Sequence, residues 1–123
     1  MSLQNTHTFE ADNLFAGSIQ PVVAGSETLL AGQGVILRGT VLGSVTASSK
    51  LKIVDSASSD GSQAVYAILA ADTDTTDGDV DAPVYYTGEY NKNELVFGGS
   101  DTADTHKTQA RNIGIFFKDV IAK

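Results

Sequence analysis

The sequence predicts a mainly β domain of short, bent strands, with one short helix near its C-terminal end and a polar arm ahead of it. Three stretches carry that expectation. Residues 29–46 hold two apolar runs punctuated by Gly32, Gly34, Gly39 and Gly43. Glycine reaches φ > 0 at little steric cost, so spaced glycines among β-branched residues mark strands bent at turns or bulges. Residues 64–70 and 83–90 are rich in β-branched and aromatic side chains between turn-forming residues. Residues 101–112 are the one polar run that reads as helical, with candidate N-caps at Asp101, Thr102, Asp104 or Thr105 and with Lys107 and Arg111 toward its end.

In chain order, residues 1–20 read as an arm and residues 21–123 as a single β-rich domain. The arm is mostly polar, with Phe9, Leu14, Phe15 and Ile19 dispersed along it. It buries too little apolar surface to offset its ordering entropy by itself. It is either a frayed terminus or a segment that orders on a partner, with Phe9 and Phe15 as anchors. Val22–Val23 forms a short extended piece after Pro21. After the glycine-rich stretch, Leu51 and Ile53 share one strand face and Lys50 and Lys52 the other. Residues 55–62 are a loop by composition. Residues 72–81 carry five aspartates and are expected to be solvated.

In 83–90, Gly88 is a candidate bulge. Tyr85 and Tyr86 must face opposite ways. One of them is then at a rim or against a neighbouring subunit, or is simply half-buried at the surface. Residues 113–121 are ambiguous. A continuous helix would align Ala110, Ile113, Phe117 and Ile121, but Gly114 costs it about 1 kcal/mol relative to Ala. The alternation of Ile113, Ile115 and Phe117 favours a short helix followed by a terminal strand.

Composition narrows the function. A chain of 123 residues forms one domain with a modest core. Eight basic residues against fifteen acidic ones, for a net charge of −7, do not supply a phosphate-tracking surface, so no nucleic-acid partner is expected. The absence of cysteine excludes disulfides, thiolate metal sites and Cys nucleophiles. Stability must come from the core or from association with further copies. No secretory pattern is visible, and no run nears the ~18 apolar residues of a membrane span. The expectation is a soluble chain folded in a cytoplasm, without a membrane partner.

Chemical motifs are absent on close reading. Asp72 and Asp74 suit a calcium loop, but Thr76 at the fifth position, Gly78 at the seventh and Pro83 at the twelfth do not. A weak, irregular cation site over Asp72, Asp74, Asp77 and Asp79 stays open. Gly34 and Gly39 have P-loop spacing without its lysine, and Gly32-Gln33-Gly34 does not complete a dinucleotide fingerprint. His7 and His106 have no companion motif, and His106 is expected to be solvated on a polar helix face. No metal, cofactor or catalytic residue is assigned, and no enzymatic activity is expected.

The order of these pieces resembles a known family. The polar arm is followed by LLAGQGVILRGTVLGSVT (residues 29–46), then YAILAADTDTTDGDVDAPVYYTGEYNKNELVF (residues 66–97), then the helix leading to RNIGIFF (residues 111–117). This resembles the head decoration proteins of tailed bacteriophages, the family of the phage lambda decoration protein D, over residues 6–118. The resemblance implies a β-clip type fold, a homotrimer and no enzymatic activity. It also implies binding to the major capsid protein, at three-fold and quasi-three-fold positions on the outside of the expanded head, reinforcing it against DNA pressure. The N-terminal arm would be mobile in the free trimer and order on the capsid, with Thr6, Thr8, Phe9, Leu14 and Phe15 as capsid contacts. Arg38, Tyr85 and Tyr86 are candidates for trimer or structural contacts. The alternative, from another class, is a small ligand- or glycan-binding β module assisted by calcium at the aspartate loop.

Overall fold

The computed structural model describes residues 14–17 and 20–119. Among them are nine strands and one α-helix: β1 (Ala24–Leu29), β2 (Val35–Ile36), β3 (Val41–Ser44), β4 (Leu51–Ile53), β5 (Ala67–Leu69), β6 (Thr73–Asp74), β7 (Val80–Tyr85), β8 (Gly88–Asn91), α1 (Ala103–Arg111) and β9 (Ile115–Lys118). The chain is mainly β, as its composition of short β-branched runs predicts.

Five strands close a barrel in the order β1-β4-β3-β5-β7. The longest pairing is antiparallel, β1 against β7, from Ala24↔Tyr85 to Leu29↔Val80. β3 pairs antiparallel with both β4 and β5, and β1 meets β4 in parallel at Leu29↔Leu51. β2 and β6 form a separate two-stranded ribbon, and β8 and β9 a parallel pair.

Strand pleating explains why some runs are apolar without alternation. Successive side chains face opposite ways, and β3 and β5 have apolar neighbours on both sides. Leu42, Ala67, Leu69, Ala82 and Val84 join Leu29, Ile36 and Leu51 in one core. Val41 and Ile68, one residue out of phase, join Val54, Tyr90, Ala110, Ile115 and Phe117 in a second core. That second core lies between the barrel and the layer made by β8, β9 and α1. The full apolarity of Val41-Leu42 and Ala67-Ile68-Leu69 therefore reflects burial on two faces.

Three glycines set this geometry. Gly43 has no room for a side chain, since a Cβ there would come 2.4 Å from the Ser62 carbonyl oxygen. Gly39, at φ +95°, lets the chain turn into β3. Gly114, at φ +89°, ends the helical turn after α1 and directs the chain into β9, so the terminal segment is a strand. The expected helix is present, and at its N-terminus the Thr102 amide donates to the Thr105 hydroxyl oxygen at 3.0 Å.

Two expectations are corrected. The aspartate-rich stretch 72–81 is not wholly solvated: β6 and the start of β7 lie within it, and Thr75 is fully buried. Thr75 Oγ1 accepts from the Gln33 amide and donates to the Gly34 carbonyl, so its burial leaves no polar group unpaired. The run 83–90 is not one strand. It breaks at Tyr86-Thr87, where the chain leaves the barrel for the side layer, and Gly88 opens β8 at φ +137°.

Candidate functional site

All four residues of β8 are buried, and both edges of the strand are covered. β9 covers one edge in parallel register, Gly88↔Ile115 to Asn91↔Lys118. The other edge takes residues 14–16. The Asn91 amide donates to the Leu14 carbonyl at 2.7 Å, the Ala16 amide to the Glu89 carbonyl at 2.8 Å, and Phe15 bridges Tyr90 between them. The base of the arm is thus a short added strand of the domain. Leu14 is only 3% exposed and belongs to the second core.

The Phe15 ring holds this segment down. It packs edge-on against Tyr85 at 5.1 Å and tilted against Tyr90 at 5.3 Å. The Arg38 guanidinium lies over it, 5.9 Å from the ring centroid, a cation–π distance. Arg38 is placed by its own turn: its amide donates to Asp72 Oδ1 at 2.7 Å and its Nε to the Ala70 carbonyl at 3.1 Å. Phe15, Arg38 and Tyr85 therefore meet in one cluster. Tyr90 completes it, donating its hydroxyl to the Thr87 carbonyl at 2.7 Å, and burial raises its pKa.

Glu89 is the polar fastening on the same strand. It is 5% exposed, accepts from the Gln20 amide at 2.7 Å and pairs with Lys118 Nζ at 2.8 Å. Gly17 passes so close that a Cβ would come 2.5 Å from Glu89 Oε1. Thr87 adds a further clasp: its hydroxyl donates to the Pro21 carbonyl and accepts from the Val23 amide. Residues 20–23 are thereby tied down before β1 begins. Glu89 and Thr87 carried no sequence signal beyond being the polar members of an aromatic run.

Tyr86 lies elsewhere. Gly25, Glu27 and Leu29 share one face of β1, and the Tyr86 ring crosses Gly25, where a Cβ would sit 2.4 Å from it. Its hydroxyl donates to Glu27 Oε2, as does that of Tyr66, whose ring meets Tyr86 edge-on. The bond to Glu27 holds the Tyr86 phenol neutral and pushes its pKa up to about 12. Tyr85 and Tyr86 do face opposite ways, and each packs against a different core of the same chain.

His106 is buried, at 4% exposure, which corrects the expectation of a solvated helix residue. Its Nε2 lies 2.7 Å from Asp101 Oδ2 and its ring stacks on Phe97 at 5.8 Å. Asp101 also accepts from the Ser56 amide and hydroxyl, both at 2.6 Å. The Ser56 bonds, with help from His106, hold the Asp101 carboxyl below its usual range. Ser56 and His106 both bind Asp101, so the imidazole does not activate the hydroxyl as a nucleophile's base would. The arrangement ties the loop at 55–62 to the helix.

The aspartates of 72–81 are dispersed. Asp72 accepts from the Arg38 amide, Asp74 from the Thr76 amide, Asp79 from the Ala31 amide while pairing with Lys50, and Asp81 from the Thr28 hydroxyl. Hydrogen bonds from Thr76 lower the pKa of Asp74, and Lys50 and the Ala31 amide lower that of Asp79. Among the described residues no group of three His, Cys, Asp or Glu side chains could hold a metal ion. No helix among them is long and apolar enough to cross a membrane.

Of the residues singled out as capsid contacts, Thr6, Thr8 and Phe9 lie outside the described residues, and Leu14 and Phe15 sit at the anchored base of the arm. The family model for the bacteriophage lambda head decoration protein D matches residues 3–114. The chain belongs to that family of phage capsid decoration proteins, whose role is structural and whose place is on the phage head. No curated protein sequence matches it.

Proposed function

We propose that the chain binds as a homotrimer to three-fold and quasi-three-fold positions on the outer surface of the expanded head and stabilises it against DNA pressure. The major capsid protein is its partner, and the segment ahead of Leu14, with Thr6, Thr8 and Phe9, makes the contact. The supporting observation is the anchoring of Leu14 and Phe15 on β8, taken with a family match that extends back to residue 3. A segment rooted in the core transmits load from its outer part to the barrel. The functional arm is then residues 1–13, with 14–20 serving as its root. Three arms on one trimer would bind multivalently, so a modest contact at each is amplified by effective concentration.

Deletion of residues 1–13 tests this reading without removing Leu14 and Phe15 from the core. The truncated protein is expected to keep the mass of three chains of 12.8 kDa in solution and to lose binding to expanded capsids. Undiminished capsid binding would overturn the role of the arm, and a monomeric mass for the intact chain would overturn the trimer.

A further inference from the structure

The chain carries a strong excess of acid, so the location of its positive charge is informative. Lys50 and Lys52 pair with Asp79 and Asp60, and Lys92 pairs with Asp119. Lys107 and Arg111 make no ion pair among the described residues. They stand four residues apart on α1, hence on one face, and both are exposed. With Phe116, Phe117, Lys118 and Asp119 they line an open groove of about 370 Å³.

Local structure accounts for only part of this. Arg111 lies in the last turn of α1, where a cation complements the helix dipole. Lys107, a turn earlier, gains little there because the effect fades beyond the final turn. Phe116 is half-buried and separates this groove from an adjoining depression lined by Gln20, Glu89 and Lys118. The surface is therefore continuous from the arm root, across an aromatic ring, to two cations that have no ion pair among the described residues.

We infer that this groove is a second docking surface beside the arm, and that it receives an acidic segment of the capsid shell carrying an apolar side chain to set against Phe116. The inference rests on the decoration reading and names a further contact within it. Charge complementarity and continuity with the arm root argue for this occupant. The chain's own residues 120–123 carry no acidic side chain, so side-chain charge does not favour them in the groove; residues 1–13 carry Glu10 and Asp12, and the protein lacking them distinguishes that occupant. A nucleic acid would meet two cations within a surface that is otherwise strongly acidic. Complementary charge at the edge of an interface raises the association rate and makes binding salt-dependent.

The test compares binding to undecorated expanded capsids of the phage that encodes this chain. The proteins are the intact chain, K107E/R111E, the charge-conserving K107R/R111K, and the chain lacking residues 1–13, each over about a tenfold range of salt. Expected are weakening of K107E/R111E by about tenfold or more at low salt, a flattened salt dependence for that variant, and near-normal binding by K107R/R111K. Equal binding and equal salt dependence for K107E/R111E would overturn the groove while leaving the arm reading intact. So would a charge reversal that dissociates the oligomer, which would place a second copy there, or one that abolishes retention on DNA. Failure of the intact chain to bind capsids would overturn the decoration reading itself, and the groove with it.

Discussion

Phe15 bridges Tyr90 across an antiparallel contact, and their rings lie 5.3 Å apart. The two residues are 75 positions apart in the chain, yet their pairing makes the base of the arm part of the sheet. The aromatic side chain supplies packing and the backbone supplies direction, so residues 14–16 are held in one register on β8. Leu14 is thereby held against Asn91, and Phe15 beneath Arg38.

That anchoring predicts the cost of Phe15→Ala. The ring is half-buried among Tyr85, Tyr90 and Arg38, so its loss should destabilise the domain by about 2 kcal/mol, below the range for fully buried Phe. A urea midpoint measures this. Limited proteolysis should also show earlier cleavage within residues 14–20. An unchanged midpoint and cleavage pattern would mean that the backbone bonds alone hold the root.

Gly43→Ala tests the contact between β3 and the turn at Ser62. The φ at Gly43 is not in the left-handed region, so the effect isolates crowding. A methyl group 2.4 Å from the Ser62 carbonyl oxygen cannot be accommodated without moving backbone. The expected loss is about 1–3 kcal/mol, typical of overpacking, read as a lower thermal midpoint. Gly78→Ala, where a Cβ meets nothing within 4 Å, is the matched control and should change little.

Asp101 should shape the acid limb of stability. Its pKa is lowered in the fold, chiefly by the Ser56 hydroxyl. Its contribution is therefore fully present above the unfolded carboxyl value of about 3.9 and is lost as pH falls through the folded value. Asp101→Asn should cost about 1–3 kcal/mol near neutrality, and the gap to the unaltered protein should narrow below about pH 4. Asp60, brought down to about 2 by the Ser62 hydroxyl and amide, loses its contribution on the same side of the scale. The comparison between the two proteins, more than the shape of either curve, isolates Asp101. A gap that stays constant with pH would show that the carboxylate charge is not what Ser56 and His106 recognise.

Much of this protein was legible in its sequence because the signals are local. β-branched and aromatic alternation marked the strands, and threonines and cations marked the ends of α1. Gly114 broke the chain between helix and strand. The order of these pieces carried the resemblance to head decoration proteins that the family match bears out. What local signals could not carry was which face of each strand meets which partner. Tyr85 and Tyr86 were recognisably opposed, but that each has a core of its own follows from barrel closure and the layer of β8, β9 and α1. His106 and Thr75 read as solvated because their polarity is local, whereas the fold brings Gln33 and Gly34 to Thr75 and brings Ser56 to Asp101, the nearby partner of His106.

The arm shows the same division. Its polar composition and scattered aromatics were plain in the sequence, which by themselves set the arm's end at residue 20. Only the tertiary structure decided that Leu14 and Phe15 belong to the domain, because their burial depends on Tyr85, Tyr90 and Arg38, brought together from distant parts of the chain. Backbone preferences are written residue by residue; burial is a property of the closed sheet.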